Sequence, residues 1–348
     1  MRRLQAFFIF LLISISASSQ SDNSKILTVI GVGDMMLGTN YPSKHYLPPN
    51  EGKNMLDSVK HILRDADVTF GNLEGTLAGN KGRVKHCRNP KLCYAFRSPS
   101  EYASLYKDAG FDLLSIANNH SGDFGAEGRQ ITMQKLQENE IAYAGLLSCP
   151  TTVIERNGVK YGLAAFAPNS GTVNIRNIEN AKKIIQGLDS ICDIIIVSFH
   201  GGAEGRSKQH VTKKTEYFVG ENRGNVYAFS HAVIDAGADI VFGHGPHVTR
   251  AMELYSNRLI CYSLGNFATY HRFSLTAQSG VAPIVKVSIN AKGEFVKAQI
   301  TPIKQIGEGI PRIDYSKKWA TKIIQQLTAQ DFPNTPLNIS NDGLVVKK

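Results

Sequence analysis

The sequence has few of the features that would place it outside the ordinary globular enzymes and binding domains. It has one Trp in 348 residues, no low-complexity tract, no internal repeat and no Pro- or Gly-rich linker, so disordered, collagenous and tandem-repeat architectures are excluded. It has no block of Lys and Arg with interleaved aromatics, so nucleic acid is not an expected partner. No apolar run after the N-terminus is long enough to span a bilayer, which takes about 20 residues. The run that does exist, Ala6 to Ile15, is shorter than that. It follows Arg2 and Arg3 and precedes the small residues Ala17, Ser18 and Ser19, the pattern of a secretory leader over residues 1–19 cleaved before Gln20. The alternative is an uncleaved anchor. No Cys follows the run, which argues against a lipid-modified N-terminus.

Cysteine is also scarce. An exported protein with five of them, Cys87, Cys93, Cys149, Cys192 and Cys261, leaves at least one unpaired. Cys87 and Cys93 bracket the polar segment Arg88 to Leu92 and are the expected disulfide; Cys192 and Cys261 adjoin apolar runs and read as buried thiols. Acidic residues are outnumbered, 29 Asp+Glu against 39 Lys+Arg, for a formal charge of +10. Removing Arg2 and Arg3 with the leader leaves 37 − 29 = +8. That balance suits a polyanionic partner or a membrane surface without choosing between them.

What is present is a repeated phrase: a short apolar run closing on Gly and a polar cluster. Strands are predicted at Ile26 to Val32, Val68 to Phe70, Leu113 to Ala117, Ile194 to Phe199, Ile240 to Phe242 and Leu259 to Leu264. Helical periodicity is predicted at Met55 to Arg64, Ser100 to Ala109, Ala126 to Asn139, Val226 to Ala236 and Lys317 to Thr328. Asn157-Gly158 and the segment Asn290 to Gly293 mark two hairpins. The expectation is an α/β domain with mixed sheets over residues 26–305 and a C-terminal helical extension over 306–348.

In such folds ligands bind beyond the carboxyl ends of the strands. Those ends carry Asp34, Asn72, Glu74, Asn118, Asn119, His120, His200, His244, His247 and Asn266. Carboxylate, imidazole and carboxamide together are a mixed oxygen and nitrogen donor set. It suits two divalent ions such as Mn, Fe, Zn or Mg, with no thiolate to select a soft metal. Paired ions of that kind promote in-line displacement at phosphorus.

These residues carry a resemblance. Gly33-Asp34-Met35-Met36-Leu37-Gly38, Asn72-Leu73-Glu74-Gly75, Ala117-Asn118-Asn119-His120 with Asp123 and Gly125, Gly237-Ala238-Asp239 leading into Gly243-His244-Gly245-Pro246-His247-Val248, and Tyr262-Ser263-Leu264-Gly265-Asn266-Phe267 resemble, in order, the motif series of the CapA family of capsule or poly-gamma-glutamate synthesis proteins. The resemblance covers about Ile26 to Ile303. It implies a calcineurin-like metallophosphoesterase fold, a four-layer α/β/β/α sandwich with mixed sheets. It also implies Asp34 as a ligand of one metal, Glu74 as the bridging carboxylate, Asn119 and His200 on the second metal, and His244 and His247 completing one ion each. His120 is left as general acid or phosphate-stabilising group, and Asp123 of the same motif is the second catalytic candidate.

Arg97, with the strand-end carboxamides Asn72, Asn118 and Asn266, is a substrate-binding candidate, and Arg83, Lys85, Arg88 and Lys91 would add a basic rim. The chain differs from the wider superfamily at Met36, where a His is usual, at Glu74, where an Asp is usual, and in the His-Gly-Pro-His spacing. It differs from the family in Gly201 and Gly202 after His200, where an aromatic residue is common, and a more open wall is expected there. The implied function is an exported protein of capsule or cell-envelope polymer synthesis, at the periplasmic or outer face of the cytoplasmic membrane, acting on an anionic polymer or its phosphorylated or lipid-linked precursor, within an envelope biosynthesis complex. Two alternatives stay open: a general periplasmic phosphoesterase, and a non-catalytic subunit that binds a polyanion during export.

Overall fold

The computed structural model describes residues 25–87 and 93–348. The expected leader, and Arg88 and Lys91 of the expected rim, lie outside the described residues. The chain begins with four parallel strands, β1 (Ile26–Met36), β2 (Val68–Leu73), β3 (Leu113–Ser115) and β4 (Ala142–Ala144). It then crosses to a second sheet with the hairpin β5 (Thr151–Arg156) and β6 (Val159–Phe166), followed by β7 (Ile194–His200) parallel to β6. A short ribbon, β8 (Tyr217–Phe218) and β9 (Glu221–Asn222), interrupts before β10 (Ile240–His244), β11 (Met252–Tyr255) and β12 (Arg258–Cys261) complete the second sheet in the order β11-β12-β10-β7-β6-β5. The chain returns to the first sheet with β13 (Asn266–Thr269), β14 (Val281–Asn290), β15 (Phe295–Ile306), β16 (Ile310–Ile313), β17 (Leu337–Ile339) and β18 (Leu344–Lys347).

The apolar alternation of these strands dictates the layers. In β1, Val29 faces Phe70, Leu163, Ile196 and Phe242 in the space between the sheets, while its neighbour Ile30 faces outward. The Phe70 and Phe242 rings, one from each sheet, stack with centroids 5.6 Å apart. Burying side chains of this size contributes roughly 1.5–3 kcal/mol each. The outer face of the first sheet is covered by α1 (Lys60–Leu63), α2 (Tyr102–Ala109) and α3 (Gly125–Glu138) through Leu63, Tyr106 and Leu136. The outer face of the second is covered by α4 (Ile178–Asp189) and α5 (Val226–Asp235) through Ile185, Phe229 and Val233. This is the four-layer α/β/β/α sandwich that the sequence led us to expect.

The structure differs locally from the expectation in three places. The periodic segment Met55 to Arg64 is mostly turns, with only α1 helical. Helix α4 is additional to the expected ones; the Asn177 side chain caps it by accepting from Asn180 N, and Ala181, Ile185 and Leu188 form its buried stripe. Residues 306–348 hold more than the helix α6 (Trp319–Asp331), because β18 extends the first sheet beside β15. Ile324, Leu337 and Val345 from this segment all lie in the core between the sheets.

Candidate functional site

Parallel registers bring the polar strand ends side by side. Asp34 is level with Asn72 on one neighbour and with Asn266 on the other, and His200 is level with His244. Gly33 makes the first of these junctions possible, since a Cβ there would sit 2.0 Å from the Gly265 carbonyl oxygen. At the junction of the two sheets, donor atoms of Glu74, His200 and His247 lie within 4.8 Å of one another.

The chemistry of this cluster is defined by what its atoms lack. Both Glu74 oxygens, both His200 ring nitrogens and the Asn119 Oδ1 are buried without a hydrogen-bond partner. A buried polar atom left unpaired costs about 1–3 kcal/mol, and such groups concentrate where a ligand completes them. Burial, then the charges of Arg223 and His247, hold the His200 ring well below its ordinary pKa, in the neutral form that binds metals. Burial and the charge of Asp34 push the Glu74 carboxyl well above its ordinary range. A set of carboxylate, two imidazoles and a carboxamide oxygen, otherwise unpaired, fits a divalent cation.

His247 is held from behind. Its Nδ1 lies 2.9 Å from Asp34 Oδ2 and 3.1 Å from Asn266 Oδ1, so that nitrogen donates and Nε2 is turned toward Glu74 Oε1 at 3.5 Å. The backbone at His247 is left-handed, φ 57°, a conformation uncommon for non-glycine residues. Burial opposes charge on the ring, but Glu74 and Asp34 outweigh it and raise the pKa to about 10. Burial opposes charge on Asp34 as well, and there the hydrogen bond and charge of His247, the charge of His244 and the Asn72 hydrogen bond together outweigh it and hold the carboxyl below its ordinary value. In this geometry Asp34 fixes the orientation of the His247 ring, the arrangement a carboxylate takes behind a metal-binding imidazole.

A chain of amides continues from Asp34. Asn72 Nδ2 donates to Asp34 Oδ1 at 2.8 Å, Asn118 Nδ2 donates to Asn72 Oδ1 at 3.2 Å, and the His120 backbone N–H donates to Asn118 Oδ1 at 3.0 Å. His120 Nδ1 is 2.7 Å from Asp123 Oδ2, and its Nε2 is 3.9 Å from Glu74 Oε1. Asp123 is fixed in turn by Lys85 Nζ, 2.6 Å from Oδ1, and by the Phe96 N–H. Phe96 packs on the His120 ring with centroids 4.2 Å apart. These groups open into a cleft of about 550 Å³ lined by Phe96, Asn119, His120, His247, Asn266 and Arg272.

The structure thus brings together Glu74, Asn119, His120, His200 and His247, with Asp34, Asp123 and Asn266 beside them. Other expectations change. His244 Nε2 lies 3.1 Å from the Val32 carbonyl oxygen and its ring packs edge-on to Phe70, so it faces the core and not the cluster. Asn72 and Asn118 are fully buried in the amide chain and do not line the cleft. Arg97 donates from Nε to Asn40 Oδ1 and lies over the Phe124 ring at 4.7 Å, which turns it away from the cleft. The wall after His200 is closed, because a Cβ at Gly201 would meet the Arg223 carbonyl oxygen at 2.9 Å. The segment after His200 is tied down by Arg223 to Glu204 at 3.1 Å and by Arg250 to Glu216 at 2.8 Å.

Arg272 and Phe273 escape a reading of the sequence because they follow the last strand-end motif and belong to no repeated phrase. Cys87 and Cys93 are bonded as the spacing predicted, with Cα atoms 5.8 Å apart, and the structure places both in the lining of the cleft. Among the described residues Cys149, Cys192 and Cys261 are free, Cys261 buried and Cys192 half-buried. No helix among the described residues is long and apolar enough to cross a membrane.

Comparison with known proteins gives matches over most of the chain. The profile described as "Bacterial capsule synthesis protein PGA_cap" matches residues 28–271. The chain is 27% identical to the "Capsule biosynthesis protein CapA" of Bacillus anthracis, over 94% of this chain and 78% of that one. It is 27% identical to the "PGA biosynthesis protein CapA" of Bacillus subtilis, over 82% of this chain and 73% of that one. Among solved structures, a hypothetical protein from Thermus thermophilus aligns over 83% of this chain and 96% of its own at 16% identity, with a TM-score of 0.44.

Proposed function

The chain belongs to the bacterial capsule synthesis protein family PGA_cap, and from that premise we propose that it serves the synthesis of an anionic capsule or cell-envelope polymer of the poly-gamma-glutamate type through a divalent-metal, phosphoesterase-type site. The observation that carries the site reading is the convergence of Glu74, His200 and His247 with their donor atoms buried and unpaired. These three would hold the ion, with Asn119 Oδ1 as a further oxygen donor and Asp34 keeping His247 in place. The free donors suffice for one such site; a second ion would have to recruit Asp34 or His244, both now engaged in hydrogen bonds. When bound, a divalent ion supplies Lewis acidity to a phosphoryl oxygen and to an attacking water.

The remaining chemistry belongs to the chain. Asp123 accepts from His120 Nδ1 and thereby leaves Nε2 facing the cleft, where it can pass a proton to a departing oxygen. Phe96 covers one face of that ring and keeps water from it. The Asp34–Asn72–Asn118 chain fixes His247 and the backbone of His120 in one rigid unit, so ligand and proton donor keep a constant spacing. The leader-like N-terminus and the Cys87–Cys93 bond support a place outside the cytoplasmic membrane, with a precursor or polymer and other envelope components as partners.

The test is elemental analysis of the purified protein, with hydrolysis of bis(p-nitrophenyl) phosphate after chelation and reloading with Mn, Fe, Zn or Mg. Stoichiometric metal and metal-restored hydrolysis are expected. One observation favours a second reading, a non-catalytic polyanion-binding subunit: Met36, where a metal-binding His is usual in the superfamily, is buried and accepts from the Gly38 N–H, adding no donor to the cluster. Protein without metal or hydrolysis, with salt-sensitive binding of an acidic polymer, would replace the first reading by this one.

A further inference from the structure

Five residues beyond the start of the strand that begins at Asn266, at the end of the family match, the chain makes a turn with two consecutive left-handed residues, His271 (φ 53°) and Arg272 (φ 63°). The turn is anchored on one side by His271, whose Nδ1 is 2.9 Å from Glu308 Oε2. Phe273 anchors the other side, stacked on Phe96 at 5.0 Å and edge-on to His247 at 5.4 Å. Between them Arg272 is presented to two adjoining cavities at once: the cleft at the metal cluster, and a second opening of about 770 Å³ lined also by Tyr41, Lys85, His86 and Tyr94.

The guanidinium of Arg272 lies 4.9 Å from the centre of the Tyr46 ring and 5.0 Å from that of Tyr94, an arrangement that holds its plane without using its N–H donors. Its Nε is buried and has no hydrogen-bond partner among the described residues. Among the described residues it forms no ion pair. Other arginines are already engaged: Arg223 is ion-paired with Glu204 and Glu221, Arg250 with Glu216, and Arg97 donates to Asn40. Lys85 is taken by Asp123. A planar cation held by aromatic rings, with free donors at the junction of two cavities, is a fork for an oxyanion.

We propose that Arg272 is a second anion subsite, which grips a carboxylate or phosphate oxyanion of an extended ligand whose reacting group lies at the metal cluster. This deepens the reading of the cleft given above and rests on it. The ligand then spans both cavities. Arg272 fixes its register, and Phe273 couples that grip to the position of His247.

The test uses the mature full-length protein loaded with metal, and measures binding of two fluorescent probes at low salt: poly-glutamate for carboxylate and inorganic polyphosphate for phosphate. Removing a bidentate charged donor should weaken binding roughly 10- to 100-fold in Arg272→Ala. Arg272→Lys, which keeps the charge and loses the fork, should restore only part. Loss with poly-glutamate alone identifies carboxylate as the ligand group, and loss with polyphosphate alone identifies phosphate. Metal content, read by elemental analysis, should be unchanged. Wild-type protein that binds neither probe, or Arg272→Ala that binds both as tightly as wild type, overturns the subsite. Absent metal and hydrolysis with an Arg272-dependent affinity overturns the metal reading instead and leaves the subsite standing.

Discussion

A site built for a cation should weaken the fold when the cation is absent, and Glu74 is the residue at which to measure this. Its carboxyl is fully buried, neither oxygen is hydrogen-bonded, and the charge of Asp34 lies close by. Replacing it by Met keeps the length and removes both unpaired oxygens. The substitution gives up the 3.5 Å approach to His247 Nε2, but His247 keeps Asp34 at 2.9 Å and Asn266 at 3.1 Å, so its ring is not abandoned. The unmade hydrogen bonds are the larger effect. In chelator, Glu74→Met should therefore be more stable than wild type by about 1–3 kcal/mol, read by urea or thermal unfolding followed by circular dichroism. With Mn at 100-fold above its dissociation constant, wild type should gain about 2.7 kcal/mol by linkage and the variant nothing, so the order reverses. A variant less stable than wild type in chelator would mean that Glu74 makes a stabilising interaction that the geometry lacks. A variant that gains as much from Mn as wild type would remove Glu74 from the ligand set.

Three further outcomes follow from the same geometry. His120→Ala should keep its metal by elemental analysis and lose on the order of 100- to 10,000-fold in turnover of a phosphodiester with a poor leaving group, because its Nε2 faces the cleft and general acid help has that size; metal lost in proportion to activity would make it a ligand. His244→Ala should also keep its metal, yet unfold about 2–4 kcal/mol more easily, since it leaves a cavity against Phe70 and an unpaired Val32 carbonyl; undiminished stability with metal lost would return it to the ligands. Asp239 supplies the pH test: burial raises its pKa to about 7, against the pull of the Ile195 N–H and Arg258. The folded state therefore keeps a proton that the unfolded chain releases near 3.8, so stability should fall as pH rises between those values and level off above about 7, by a few kcal/mol at most. An Asp239→Asn variant should show a flatter profile by denaturant titration, and an unchanged slope would refute the assignment.

Much of this protein is legible without coordinates. The apolar runs ending in Gly and polar residues locate the strands and, by the rule that parallel α/β sheets bind ligands at their carboxyl ends, the site as well. Glu74, Asn119, His120 and His247 emerge in this way, and the Cys87–Cys93 pair from the short polar segment between the two cysteines. Sequence order could not show direction. Asp34, Asn72, Asn118 and His244 all occupy strand ends, but a residue's facing depends on the pleat and on which carbonyl its neighbour offers, and Val32 captures His244 while the amide chain captures Asn72 and Asn118. Distance along the chain misleads in the same way at Arg97, a basic residue beside a disulfide at the mouth of the cleft that in three dimensions stacks on Phe124. Arg272, which does line the cleft, sits on a turn that carries no periodic signal. Only the packing of Tyr46, Tyr94 and Phe273 around that turn decided where its guanidinium points.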